Sequence, residues 1–152
     1  MSVGKVVSGG QTGADRAALD AALRLGLPYG GWCPAGGEAE DGPGLLDRYP
    51  SLEETPSADP SVRTTWNVRD SDATLVLSLG PVDGSPGTAY TVSEAERLGR
   101  PLLVVRPSQT EAVRGWLAAL PDGCTLNVAG PRESEEPGLY DASYALLLDV
   151  LA

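Results

Sequence analysis

The sequence contains no histidine. That removes the commonest general acid or base near neutral pH and the commonest neutral metal ligand, so any chemistry falls to carboxylates, tyrosines, Cys33 and bound water. Cysteine is scarce as well. Cys33 and Cys124 are too few for a disulfide framework and their separation fits no zinc pattern, which leaves reduced thiols and no metal site as the expectation. No apolar run approaches the length of a bilayer-crossing helix; the longest strand-like stretches are Leu75 to Leu77 and Leu102 to Val105. The opening Met1-Ser2-Val3-Gly4-Lys5 lacks the charged-then-apolar order of a secretory signal, so the expected location is cytoplasmic, with no membrane partner. Positive charge is in deficit. At a net charge of −10 the surface repels a phosphate backbone, and nucleic acid is not an expected partner. Lys5 is the sole lysine, so arginine carries nearly all the positive charge, and its planar fork suits phosphate or carboxylate. A few placed arginines suffice to hold a small anion.

A chain of 152 residues that is 41% hydrophobic suits one domain with one core, spanning 1–152. Apolar runs alternate with helical patterns: Val3 to Ser8, Gly30 to Cys33, Ala73 to Leu79, Leu102 to Arg106 and Thr125 to Ala129 give about five strands. Their continuous apolar character predicts an α/β fold, a mostly parallel sheet flanked by helices. Ala17, Ala18, Ala21, Ala22 and Leu25 recur at helical spacing, and Gly26 supplies the stop. Asp59-Pro60 predicts an N-cap and first-turn proline opening a helix through Arg69. Ser108 and Glu111 have capping-box spacing before the face Val113, Trp116, Leu117, Leu120, and a last helix runs from about Leu139 to Val150. The Pro/Gly-rich stretch Pro34 to Pro56 is too long for an ordinary connection and reads as an ordered functional loop.

The segment Ser8-Gly9-Gly10-Gln11-Thr12-Gly13-Ala14-Asp15-Arg16 turns the first strand into the first helix through a loop with little side-chain bulk. Such a loop lets a ligand approach the backbone, while free N–H groups and the dipole of the helix start favour an anion. A nucleotide or other phosphorylated ligand fits best. It is not a Walker loop, because Ala14-Asp15 follow Gly13 where lysine and Ser/Thr are needed. Nor is it a dinucleotide fingerprint, since the second strand ends in Trp32-Cys33-Pro34 instead of an acidic residue for a ribose. A plain tight turn is the simpler alternative, but Gln11, Thr12, Asp15 and Arg16 add polar groups that a turn does not need. Strand three leads into Gly84-Ser85-Pro86-Gly87-Thr88, a second glycine-bearing helix start, and strand five into Gly130-Pro131-Arg132-Glu133-Ser134. In a parallel sheet all these loops open on one side, where two helix N-termini converge on one anion.

Arg63, Asn67 and Asp70 lie four and three residues apart, on one helical face, either lining the pocket or forming ordinary ion pairs. Asp72 buttresses a strand start, and Asp15 either faces the ligand or stabilises a first turn. Cys33 is a ligand contact or a buried structural thiol. Trp32 and Trp66 either stack on a planar ligand or pack in the core.

Six stretches in order resemble one family over essentially the whole chain. They are Ser8 to Arg16, Gly31-Trp32-Cys33-Pro34, Ala39-Glu40-Asp41-Gly42-Pro43, Glu54-Thr55-Pro56-Ser57, Trp66-Asn67-Val68-Arg69-Asp70-Ser71-Asp72-Ala73 and Leu126-Asn127-Val128-Ala129-Gly130-Pro131-Arg132-Glu133-Ser134. Together they look like the molybdenum carrier family, the circularly permuted YpsA-like branch of the SLOG superfamily. The resemblance implies a single Rossmann-like domain, a ligand site on the glycine-rich loops and self-association into a homo-oligomer. The implied cargo is the molybdenum cofactor, whose pterin bears a phosphate, or a nucleotide. It also implies kinship with the LOG enzymes, which cleave nucleoside monophosphates to base and ribose phosphate. Here the chain departs: Thr91 stands where LOG enzymes carry a glutamate after Gly87-Thr88, and Glu94 lies a turn further on. Basic residues common after Cys-Pro are replaced by Ala35, Gly36 and Gly37, which leaves Arg16, Arg63, Arg69 and Arg132 to meet a phosphate. The expectation is a binding or carrier protein, with a LOG-like hydrolase as the alternative. Trp116 and the run Leu146-Leu147-Leu148 look like more apolar surface than one small sheet covers, in line with self-association.

Overall fold

The run Ala73 to Leu77 forms a strand with all five residues buried, as a central parallel strand covered on both faces requires. The computed structural model describes residues 3–152. Along them run β1 (Val3–Val7), α1 (Ala14–Leu25), β2 (Tyr29–Cys33), α2 (Leu45–Arg48), β3 (Leu52–Glu54), α3 (Pro60–Arg69), β4 (Ala73–Leu77), a 3-10 turn (Val82–Gly84), α4 (Pro86–Arg97), β5 (Leu102–Val105), α5 (Thr110–Ala118), β6 (Cys124–Ala129) and α6 (Leu139–Val150). The strands form one sheet in the order β3-β2-β1-β6-β4-β5, every pairing parallel. This is the Rossmann-like α/β domain that the sequence implies. Among the described residues no helix is long and apolar enough to cross a membrane.

The sixth strand, β3, lies inside the Pro34 to Pro56 stretch, which also carries α2. Only Leu52 of its three residues is buried, so it has no apolar run to betray it. Its anchor is a second small core of Leu19, Cys33, Leu45, Tyr49 and Leu52 beneath the sheet's edge. Adjacent strand ends lie close, β2 against β1 and β6 against β4. At Gly31, with φ +131°, an added Cβ would sit 2.2 Å from the Ser8 carbonyl oxygen, an overlap costing about 1–3 kcal/mol to relieve. At Gly130 an added Cβ would sit 2.2 Å from the Leu77 oxygen.

Helix starts and stops follow the sequence with one exception. Gly26 caps α1 in the left-handed conformation, and the Asp59 carboxylate accepts the Ser61 N–H at 3.0 Å ahead of Pro60. The Asp72 carboxylate accepts the Thr125 N–H at 2.8 Å and so ties the start of β4 to β6. The capping box of Ser108 and Glu111 does not form. Helix α5 begins a residue later, behind Gln109, which puts Ser108 outside the cap; the Gln109 side chain instead accepts the Arg106 N–H at 2.9 Å. The apolar run of α6 also needs no second chain to cover it. Leu146 and Leu147 are buried, and Leu148 and Trp116 pack against the same core, because the alanine face of α1 lets α6 approach closely.

Candidate functional site

The loop after β1 is largely bonded to itself. The Ser8 hydroxyl donates to the Asp15 carbonyl at 2.8 Å and accepts the Gly10 N–H at 3.1 Å, while the Thr12 N–H donates to the Gln11 side chain at 3.1 Å. The Asp15 side chain turns inward and is nearly sealed from solvent. Burial drives its pKa up to about 6 against the attraction of Arg63, whose Nη1 lies 3.6 Å from Asp15 Oδ2, and of the Gln11 and Gly130 N–H groups. Part of the expected anion cradle is therefore filled by the protein's own carboxylate.

A cavity of about 310 Å³ opens at the C-terminal ends of β1, β6 and β4. Gly9, Gln11 and Asp15 form one wall and Arg63 and Asn67 of α3 another; Ser85, Gly87, Thr88 and Thr91 of α4 face them, with Asn127, Gly130, Arg132 and Glu135 from β6 and its loop. The start of α4 is a second helix N-terminus on this cavity. Its first helical bond runs from the Ala89 N–H to the Ser85 oxygen, so the N–H groups of Gly87 and Thr88 precede the ladder at the positive end of the helix dipole. The Ser85 and Thr88 hydroxyls lie 2.9 Å apart, and Ser85 also donates to Glu135 at 3.1 Å. Arg132 is half exposed, with Nε 3.4 Å from Glu135.

Of the residues expected at the site, Gly9, Gln11, Asp15, Arg63, Asn67, Gly87, Thr88, Gly130 and Arg132 line this cavity. Asn67 also clamps the backbone of Trp32, accepting its N–H at 2.8 Å and donating to its carbonyl at 3.0 Å. The others stand outside. Gly10, at φ +78°, lies against Leu45 and Leu52, and Gly13, at φ +80°, against the Pro131 carbonyl. Thr12 bonds the Glu40 carboxylate and accepts the Glu133 N–H. Arg16 forks onto Asp41 at 2.9 and 3.1 Å, and this bidentate contact pulls Asp41 down to about 2. Glu133 caps α6 by accepting the Gly138 and Tyr140 N–H groups, and Gly84 ends the 3-10 turn. Arg69 and Asp70 pair at 2.7 Å at the far end of α3. There Trp32 and Trp66 pack edge to face, centroids 4.7 Å apart, with Arg69 over Trp66; they enter neither the cavity nor the main core. Cys33 is a buried thiol whose pKa is raised, chiefly by burial, and it too is absent from the cavity wall.

Sequence reasoning passed over Ser85, Asn127 and Glu135 as site residues. Asn127 carried a signal, being an amide inside the apolar strand Leu126-Asn127-Val128 near its C-terminal end. Thr91 lines the cavity, whereas Glu94 is consumed. Arg97 first, then Thr65, hold Glu94 at about 2.

The family model described as the Circularly permutated YpsA SLOG family matches residues 6–151. A crystal structure described as "Putative molybdenum carrier protein" from Syntrophus aciditrophicus SB is similar at 40% identity and TM-score 0.91, the match covering 99% of this chain and 96% of that one. No curated protein matches.

Because the pKa of Asp15 is raised from 3.8 to about 6, the folded state holds that proton more tightly than the unfolded chain. The resulting stabilisation is complete below about pH 4 and is lost as pH rises through 6. Arg63 opposes the shift, so Arg63→Met is expected to move the Asp15 midpoint above that of the parent. Carbon-13 NMR of the carboxyl checks this; an unchanged or lower midpoint contradicts the pairing.

Proposed function

The chain belongs to the circularly permutated YpsA SLOG family, and from that membership and the cavity's geometry we propose that it is a binding or carrier protein for a phosphorylated heterocycle, either a nucleotide or the molybdenum cofactor. The observation that carries this reading is the start of α4: two N–H groups and the Thr88 hydroxyl at a helix N-terminus, facing Arg63 across one cavity at the sheet's C-terminal edge. Phosphate is the natural occupant of such a place. The rest of the cavity, about 310 Å³ in all, has the size of a small-molecule site and takes the ring. The similarity to a protein described as a molybdenum carrier favours the cofactor as cargo. Among the described residues no three His, Cys, Asp or Glu side chains gather as a metal site. A molybdenum centre carried here is thus held through its pterin and phosphate.

The hydrolase reading has one observation in its favour. Asp15 lines the cavity with a pKa near neutrality, which suits a general acid or base. Against it, Thr91 supplies no charge at the glutamate position, and Glu94 is locked to Arg97 at 2.8 Å. Self-association, which the similarity to the family suggests, is part of the same proposal. The large apolar side chains left exposed include Tyr90 and Val104, the latter on edge strand β5. Light scattering across the micromolar range is expected to give at least a dimer, and a single-chain mass throughout contradicts it.

Gly87→Val is a clean test of the phosphate site, because an added Cβ there meets nothing within 4 Å and its φ is ordinary. Calorimetry with AMP, GMP and molybdopterin is expected to show binding of at least one, weakened about tenfold or more by the substitution. Equal affinity in both proteins contradicts the site. Release of free base from the bound monophosphate is expected at background; release abolished by Asp15→Asn moves the protein to the hydrolases.

A further inference from the structure

The inner end of the cavity differs from its rim. Every strand pairing is parallel, so α3 and α4, each leading back to the start of the next strand, run inward from the sheet's C-terminal edge. Thr91 therefore lies one turn, about 5.4 Å, deeper than Gly87, and Asn67 one turn deeper than Arg63. Asn127 stands three residues before Gly130, about 10 Å in from the rim at the rise of a strand. The charged side chains on the wall are Asp15, Arg63, Arg132 and Glu135, and all belong to the loops and first turns at the rim. The inner end is polar and neutral.

Asn127 is only 3% exposed. Its Nδ2 donates to the Thr74 hydroxyl on the paired strand at 3.3 Å, and its Oδ1 has no hydrogen-bond partner among the described residues. Among those residues the one side-chain polar atom both sealed and unpaired is Ser143 Oγ. Asn127 Oδ1 is therefore not sealed, and it opens on the cavity that Asn127 lines. The Thr91 hydroxyl spends its proton on the Gly87 carbonyl at 3.1 Å, so it too meets a ligand as an acceptor. Asn67 has both halves of its amide on the Trp32 backbone. What the inner end offers is acceptors, and an acceptor this far from bulk water is costly to leave unmet.

We propose that Asn127 selects a heterocycle with an exocyclic amino group, one of whose N–H bonds donates to Oδ1 while the Thr91 oxygen accepts the other. The phosphate stays at the start of α4, and the ring reaches inward to the acceptors. A carbonyl at that edge of the ring sets oxygen against oxygen, and a bare C–H leaves Asn127 unmet. The occupant is an aminopurine nucleotide. This inference rests on the nucleotide form of the reading above.

The test is calorimetry with two pairs of compounds that differ by one amino group: AMP against purine riboside 5′-monophosphate, and GMP against IMP. At least one amino member is expected to bind the parent protein about tenfold tighter than its partner. Asn127→Ala is expected to bring that ratio close to one, whereas a merely structural role for Asn127 weakens both members alike and leaves the ratio as it was. If Asn127→Ala fails to fold by circular dichroism, Thr91→Val carries the test and is expected to lower the ratio about threefold. Equal binding within both pairs, tighter binding of the members without the amino group, or a ratio that survives the substitutions overturns the amino selection and leaves the phosphate site standing. No binding of any of the four compounds overturns both this inference and the nucleotide reading.

Discussion

Strand β6 pairs with β1 on one side and with β4 on the other, and the site follows from that placement. The chain builds β1, β2 and β3 toward one edge, crosses over through α3, and returns last to fill the gap between β1 and β4. Three connections therefore leave adjacent strand ends and diverge into separate helices, and the space between them is the cavity. Close approach makes this possible. Gly130 at the end of β6 touches the Leu77 carbonyl, and Gly13 at the start of α1 touches that of Pro131, so side chains at either place would force the wedge apart.

This acidic protein ties the loops around its cavity together with its own carboxylates. Glu40 accepts from Thr12 and Ser134, Glu133 from the start of α6, and Glu136 from the N–H groups of Leu79 and Gly80. Each charge-assisted contact fixes a loop of the cavity's rim without occupying the cavity. The same economy engages four of the ten arginines: Arg16 goes to Asp41, Arg69 to Asp70, Arg97 to Glu94 and Arg114 to Asp149. Arg63 and Arg132 are left facing the cleft, and Arg63 is the less exposed of the two. Its partnership with Asp15 has two consequences. It keeps a guanidinium poised over Gly9, and it leaves a buried carboxyl whose proton is exchangeable near neutral pH.

Where hydrophobic patterning decides structure, the sequence was readable. Five of the strands, the stop at Gly26, the cap at Asp59 and the helix after Gly87-Thr88 all emerge at or near the positions that their residues imply. Strand β3 did not, because a three-residue edge strand with one buried side chain has no periodicity to read. The Leu146 to Leu148 run looked like surplus apolar surface, since spacing alone does not reveal that the alanines of α1 admit α6 so closely. The glycine loops border the cavity, but which polar groups face it depends on partners distant in sequence. Arg16 and Arg63 are equivalent as letters; Asp41, 25 residues after Arg16, takes one of them out of play. Asp15 and Glu133 differ in the same way, one sealed in the cavity wall and the other spent on α6.

The central claim is that this cleft holds a phosphorylated heterocycle. Native mass spectrometry of the purified protein, followed by denaturation and accurate mass of what is released, tests it most directly. The account predicts a released species that contains phosphorus and absorbs in the ultraviolet, retained by the parent protein and lost from Arg63→Met. A phosphorus-free ligand, or the same species at equal occupancy in both proteins, would contradict it.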